Sequence, residues 1–264
     1  MKHYLKDLIL SKTIVYMNNK YKLIAFDLDD TLSPAKNKTD KEMADLIKQL
    51  LEKYKVAIIT WWMFKEINNQ IIEELDNNSN FSNFYPFPTT WTRMYYYDSW
   101  EWKIKYAEDL TVNEIDKITL VLNKAIVDLD LQPIQVWWEI VENRWSQITY
   151  SALWQKCPLE IKKSWDQDFK KRLEIKRYIE KDLEEFNIWL WGSTSIDITR
   201  KWVDKAYWIK KVLENLDLEK EDILFMWDAI FEWWNDFPIT KTGIDYYKVK
   251  DYNHTKELIK ELLK

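Results

Sequence analysis

The chain has 264 residues, with 39 basic and 44 acidic side chains for a net charge of −5, and 47% of it is apolar. An acidic balance excludes a nucleic-acid backbone as the main partner. Two histidines, His3 and His254, and one cysteine, Cys157, leave no material for a zinc cluster, a disulfide framework or a serine–histidine triad. Any chemistry must rest on carboxylates, hydroxyls, lysines and arginines. Met1 to Lys20 carries lysines at 2, 6, 12 and 20, and its apolar runs are too short for a signal-peptide core. No stretch reaches the ~18 apolar residues of a membrane span. With a lone cysteine that suits a reducing interior, the expectation is a cytoplasmic protein with no membrane partner. The first 16 or so residues read as an extension or as a mis-set start, with Met17 just before the first strong strand.

Lys22-Leu-Ile-Ala-Phe-Asp-Leu28 is a short apolar run ending in acids, as in a buried parallel strand with a functional loop at its carboxyl end. Thr39-Asp-Lys-Glu42 has the form of a capping box, followed by Met43, Leu46, Ile47 and Leu50 at helical spacing. Val56-Ala-Ile-Ile-Thr60 predicts a second strand, and Phe64, Ile67, Ile71 and Leu75 a second helix. The middle differs: 93–106 alternates like a hairpin, and Thr111-Val-Asn-Glu114 opens a helix carrying Ile115, Ile118, Leu122 and Ala125. Strands are expected at 139–142 and 147–153, then a long charged helix over 166–186 with Ile175, Ile179, Leu183 and Phe186 as its stripe. From Ser195 the alternation resumes, with a helix over 204–215, strands at 223–226 and 246–249, and a helix over 255–263. The pattern predicts an α/β fold: a parallel-sheet core with helices on both faces, formed by 1–92 and 191–264, interrupted by an α+β domain over 93–190.

Asp27 and Asp29 stand two apart just after the first strand, where open α/β sheets place their ligand crevice. Two close carboxylates repel unless a cation neutralises them, and magnesium, which takes one or two carboxylates with waters and phosphate oxygens, suits the pair. Asp228 follows the 223–226 strand, with Asn235 and Asp236 a short loop later, and Thr60 ends the second strand. Lys205 stands near a helix start. Phosphoryl transfer asks for this set: an aspartate nucleophile, a second acid for the proton, a metal, and a hydroxyl and lysine for the phosphate oxygens.

Four motifs in this order, Asp27-Leu-Asp-Asp-Thr31, Thr60 closing Val-Ala-Ile-Ile-Thr, Lys205 in Lys201-Trp-Val-Asp-Lys-Ala, and Asp228-Ala-Ile-Phe-Glu-Trp-Trp-Asn-Asp236, resemble the haloacid-dehalogenase (HAD) superfamily, type IIB, close to the phosphomannomutases. The resemblance implies Asp27 as the nucleophile that forms an aspartyl-phosphate and Asp29 as the general acid/base. It implies Mg2+ held by the Asp27 carboxylate, the Asp29 backbone carbonyl and Asp228. Thr60 and Lys205 would bind the transferring phosphate, and Asn235 and Asp236 would support the metal end. The middle domain resembles the type IIB cap, which closes over the site and excludes water. Arg144 in Glu142-Asn-Arg144, Gln155 in Ser151-Ala-Leu-Trp-Gln155, and Ser195 and Asp197 resemble the segments that bind a sugar and its distal phosphate. Gln155 stands where the mutases carry an arginine, which removes an anchor for a bisphosphate and favours plain hydrolysis of a small phosphorylated sugar. A phosphomannomutase interconverting mannose 6-phosphate and mannose 1-phosphate is the alternative. Mutase-like caps can pair, so a homodimer is compatible with the resemblance.

Glycine, about 7% of an average protein, occurs twice, at Gly192 and Gly243, whereas tryptophan occurs 17 times. Thirteen of these tryptophans, at 61, 62, 91, 100, 138, 145, 154, 191, 202, 208, 227, 233 and 234, fall at turns or motif positions that want glycine. A UGA codon read as glycine in the source but translated as tryptophan leaves this pattern. Trp102 and Trp165 sit where aromatics suit. Were all the tryptophans genuine, the chain would instead read as a binding module that kept the fold and lost turnover.

Overall fold

The computed structural model describes residues 20–131, 140–153, 157, 159–191, 193–203, 205–228 and 242–264. In chain order its elements are β1 (Leu23–Asp27), α1 (Lys41–Lys53), β2 (Lys55–Ile59), α2 (Phe64–Gln70), β3 (Phe84–Phe87), β4 (Arg93–Asp98), β5 (Glu101–Ala107) and α3 (Val112–Asp128). There follow β6 (Val141–Asn143), β7 (Ile148–Ser151), α4 (Leu159–Trp165), α5 (Lys170–Ile179), β8 (Phe186–Trp191), β9 (Ser195–Arg200), α6 (Lys205–Leu216), β10 (Ile223–Trp227), β11 (Asp245–Lys248) and α7 (Tyr252–Leu262). The chain divides into two units, Met1–Ala107 with Asp204–Lys264, and Glu108–Val203.

The first unit is built on a five-stranded parallel sheet in the order β11-β10-β1-β2-β3. Strands β1 and β10 are buried along their whole length, which is why their sequences are unbroken apolar runs rather than alternating ones. Successive side chains still take opposite faces. Ile24, Phe26, Val56, Ile58, Leu224 and Met226 join one core cluster with α1 and α7, while Phe225 meets Trp208 of α6, so helices cover both faces. From β1 the chain winds outward one way through β2 and β3, and the other way through β10 and β11. The reversal of strand order therefore lies between β1 and β10, the position where doubly wound sheets open a crevice. The hairpin β4–β5 belongs to this unit and packs through Tyr97 and Trp102 against Phe81 and Phe84.

The second unit is α+β, as its sequence predicts: an antiparallel sheet β6-β7-β9-β8, with α3 and α5 packed on it through Ile118, Leu122, Ala125, Ile175 and Ile179. Two expected boundaries move. The hairpin expected in the insert lies in the first unit, and Ser195–Arg200, expected in the core, pairs with β7 and β8. The helix expected over 166–186 is cut back at both ends to α5, Lys170–Ile179. Asp166 accepts backbone N–H groups from Lys171 and Arg172 and pairs with the Arg172 guanidinium at 2.7 Å, Phe169 turns left-handed, and Phe186 opens β8. Ile175, Ile179, Leu183 and Phe186 all enter one core, so their spacing does not mark where the backbone leaves the helix. Near the amino end, α1 is capped by Asp40 rather than by Thr39, whose hydroxyl donates instead to the Leu32 carbonyl. Helix α2 stops at Gln70 and gives way to a 3-10 turn over Ile72–Glu74.

The capping box at Thr111 and Glu114 is present, and Glu114 also holds the Arg200 guanidinium at 2.7 and 2.9 Å. The arginine and the capping donors lower the Glu114 carboxyl to about 2. Its stabilisation is present above the ordinary carboxylate range and is lost as pH falls toward that value. Glu114→Ala is expected to destabilise the chain by about 2 kcal/mol at neutral pH, combining a lost cap and a lost ion pair. Thermal melts at pH 7 and pH 3 check this, the difference from wild type shrinking at the lower pH.

Candidate active site

Asp27 ends β1 and is buried, Thr60 directly follows β2, and Asp228 directly follows β10. The registers Asp27↔Ile59 and Phe26↔Met226 bring these three residues to one edge of the sheet, with Asp27 and Asp228 on either side of the strand-order reversal. After β1 the chain turns tightly. Asp30 adopts φ 57°, its N–H donates to the Ser33 carbonyl at 2.7 Å, and its carboxylate accepts the Ala35 N–H at 3.1 Å. This winding keeps Asp29 at the same edge. One Asp29 oxygen accepts the Lys36 N–H at 2.9 Å, and the other accepts the Trp62 indole N–H at 2.7 Å.

Thr31 Oγ1 lies 3.5 Å from Asp228 Oδ1, linking the loops that leave β1 and β10. Thr60 is fixed from three directions: its N–H donates to the Phe87 carbonyl, its carbonyl accepts the Thr90 N–H, and its hydroxyl accepts the Trp62 N–H at 3.2 Å. Lys205 begins α6, which Trp208 packs against Phe87 and Phe225 of the sheet. Asn235 and Asp236 lie outside the described residues.

Among the described residues no three His, Cys, Asp or Glu side chains gather into a metal cluster. The Asp29 carboxylate faces Lys36 and Trp62, so a role for Asp29 toward a metal falls to its backbone carbonyl. Asp27 and Asp228, on neighbouring strand ends, supply two hard carboxylates. Magnesium needs no more than one or two, with water and phosphate completing its shell, so the donor set fits it. The sequence gives no signal for the indole contact on Asp29. Thr31 lies inside the first motif but carried no expected role.

In the second unit, Arg144 and Asp197 are both buried. Arg144 donates twice to one Glu142 oxygen, at 2.7 and 2.9 Å, while Asp197 accepts the Thr149 hydroxyl at 2.7 Å, and Gln147 donates to Thr149 at 2.9 Å. Ser195 opens β9 opposite Ser151. Ile148, Tyr150, Ile196 and Ile198 take the core face of this sheet, so Thr149, Ser195 and Asp197 share the other. Gln155 lies outside the described residues.

Burial pushes the Asp197 carboxyl up to about 6, against the lowering effects of the Arg144 charge and the Thr149 and Gln147 hydrogen bonds. A carboxyl raised on folding keeps its proton longer in the native state, so stability falls as pH climbs from the unfolded value toward about 6. Asp197→Asn is expected to remove that slope and to gain about 3 kcal/mol relative to wild type between about pH 4 and 7. Urea unfolding at the two pH values measures it.

A family model described as haloacid dehalogenase-like hydrolase matches residues 24–230. Phosphomannomutase 2 of Dictyostelium discoideum is 24% identical over 226 residues, covering 84% of this chain and 87% of the relative. Among solved structures, IMP-bound IMP-nucleotidase of Plasmodium falciparum superposes with a TM-score of 0.64 at 17% identity, over 94% of this chain and 70% of that one. Trehalose-6-phosphate phosphatase of Aspergillus fumigatus gives 0.57 at 12% identity, over 96% and 97%. The two structural likenesses carry the fold alone. With the family match covering most of the chain, from Ile24 in β1 to residue 230, Asp27, Thr60 and Asp228 at the sheet edge lie within it, and the chain belongs to the haloacid dehalogenase-like hydrolases.

Proposed function

We propose that this protein is a magnesium-dependent phosphomonoesterase acting on a small phosphorylated sugar through an aspartyl-phosphate. The observation that carries the reading is the placement of Asp27 and Asp228 on adjacent strand ends at the reversal of strand order, with Asp29 two residues on. Magnesium, when bound, offsets the charge of the phosphate and of the two aspartates. Asp27 attacks phosphorus, forming an O–P bond as the ester P–O bond breaks, and Asp29 gives its proton to the departing sugar oxygen. In the second half Asp29 takes a proton from water, whose oxygen attacks phosphorus and returns Asp27 as a free carboxylate with release of inorganic phosphate. Thr60 offers its hydroxyl to the phosphate oxygens, and its backbone bonds to Phe87 and Thr90 hold it in place. Lys205, Asn235 and Asp236 keep the roles that the family resemblance implies, and Arg144, Gln155, Ser195 and Asp197 are the proposed sugar contacts.

A second reading, phosphomannomutase, is favoured by the length of the match to the Dictyostelium enzyme. In a mutase the aspartyl-phosphate returns its phosphate to a sugar hydroxyl rather than to water. Incubation with mannose 1-phosphate and magnesium, with and without a sugar bisphosphate, separates the two. Inorganic phosphate as the product supports the phosphatase. Mannose 6-phosphate that forms only with the bisphosphate overturns it.

A further inference from the structure

We infer that the working chain carries glycine, not tryptophan, at positions 62, 91, 100, 145 and 208, and that glycine at 62 is what uncovers Asp29. The backbone argues for three of the five. Among the described residues eleven non-glycine positions have left-handed φ, and three of them are tryptophan: Trp91 at 55°, Trp100 at 66° and Trp145 at 64°. A bulky side chain is a genuine outlier there, and only glycine enters the region freely.

Each of the three sits in a turn that dictates this geometry. Ser99 and Trp100 are the two-residue loop joining β4 to β5, with Asp98 paired to Glu101 and both loop residues at positive φ. This is the form of hairpin loop that takes glycine at its second position. Trp100 gains nothing in exchange, being 85% exposed. Trp145 occupies the loop between β6 and β7 and is 54% exposed, with its N–H bonded to the Asn143 side chain at 2.8 Å. Trp91 follows Thr89 and Thr90, so three consecutive residues turn left-handed in the segment that holds Thr60.

Trp208 argues from burial. Its ring is buried between α6 and the sheet, against Phe87 and Phe225, yet its indole N–H has no hydrogen-bond acceptor among the described residues. Buried indoles ordinarily find a partner.

Trp62 argues from what it covers, and this part rests on the proposed function. Its indole N–H occupies one Asp29 oxygen, and Lys36 Nζ lies 4.8 Å from the ring centre on its face. The Lys36 N–H already holds the other oxygen, so the ring takes the one that would exchange a proton with a leaving oxygen. The bonds that shape the loop are backbone ones: the residue 62 N–H to the Thr60 hydroxyl, and the Thr89 N–H to the residue 62 carbonyl. Glycine keeps both and removes only the indole.

Trp102 and Trp165 give the contrast. Trp102 packs edge-on against Phe81, Phe84 and Tyr97, and Trp165 packs on the second core with Lys171 over its ring, and neither takes a left-handed φ or buries an indole N–H without an acceptor among the described residues. These two are assigned as true tryptophans.

The test is peptide mass spectrometry of the protein isolated from its natural source. Glycine masses at 62, 91, 100, 145 and 208, with tryptophan retained at 102 and 165, support the inference. A tryptophan mass at any of the five, or glycine at 102 or 165, overturns it. A second arm compares recombinant chains with tryptophan or glycine at position 62, all other positions following the natural protein, for magnesium-dependent phosphate release from sugar monophosphates. At least tenfold faster release with glycine supports the uncovering of Asp29, and equal measurable rates overturn it. Glycine masses with no release by either chain would leave the five assignments standing and overturn the phosphatase reading together with the role given to position 62.

Discussion

Asp27→Asn, made in the protein with glycine at the five positions above, is expected to lower phosphate release by about 10⁴-fold or more. The amide matches the carboxylate in shape, so a residue buried at the end of β1 keeps its packing, but it is a poor nucleophile toward phosphorus. Steady-state phosphate release and intact mass after rapid quench are the measurements. The wild type should show a phosphorylated species that the variant lacks. A variant that retains its rate, or that still becomes phosphorylated on this residue's peptide, would remove Asp27 as the nucleophile. Melting temperature serves as the control, since a variant that melts like wild type has lost chemistry rather than fold.

Asp29→Asn should cost about 10³-fold on a sugar phosphate, within the usual range for removing a general acid/base. Its distinguishing sign is leaving-group dependence. An aryl phosphate departs as a stable phenolate and needs little protonation, so the first half-reaction should be largely spared, while the second still lacks its base. The variant is therefore expected to give a burst of one phenolate per chain followed by slow turnover, with the phosphorylated form accumulating. Equal losses on sugar and aryl esters without a burst would assign Asp29 to positioning instead.

The parallel layer was legible because a strand buried on both faces has to be apolar throughout, as Leu23–Phe26, Val56–Ile59 and Ile223–Met226 are. The acids at their ends stood out against those runs. Local chemistry also read correctly at Thr111 and Glu114, where both halves of the capping box formed. It misread Thr39, because Asp40 competes for the same cap one residue later and the Leu32 carbonyl takes the threonine hydroxyl. Strand β9 went unassigned because Ser195–Arg200 reads as a strand only with its distant partners β7 and β8 in view. The boundary of the second unit moved with it. The Asp29–Trp62 contact is a cross-loop fact that spacing alone does not encode, whereas Glu142 and Arg144 pair locally, two residues apart.

The placement of β1 between β2 and β10 bears on how the protein is made. One neighbour of the central strand follows it closely in sequence, whereas the other leaves the ribosome only after the whole of Glu108–Val203 has emerged. The second unit, continuous in sequence, has all the partners of its sheet before β10 is synthesised. The first must wait with one edge of β1 open, and unpaired edges invite association with other chains. Asp27 meets Asp228 only at the closing of that edge, so a nascent chain holds no paired carboxylates while it is incomplete. On the proposed function, arrested or clipped products that end before β10 are expected to be inert, so that competence would coincide with completion of the sheet.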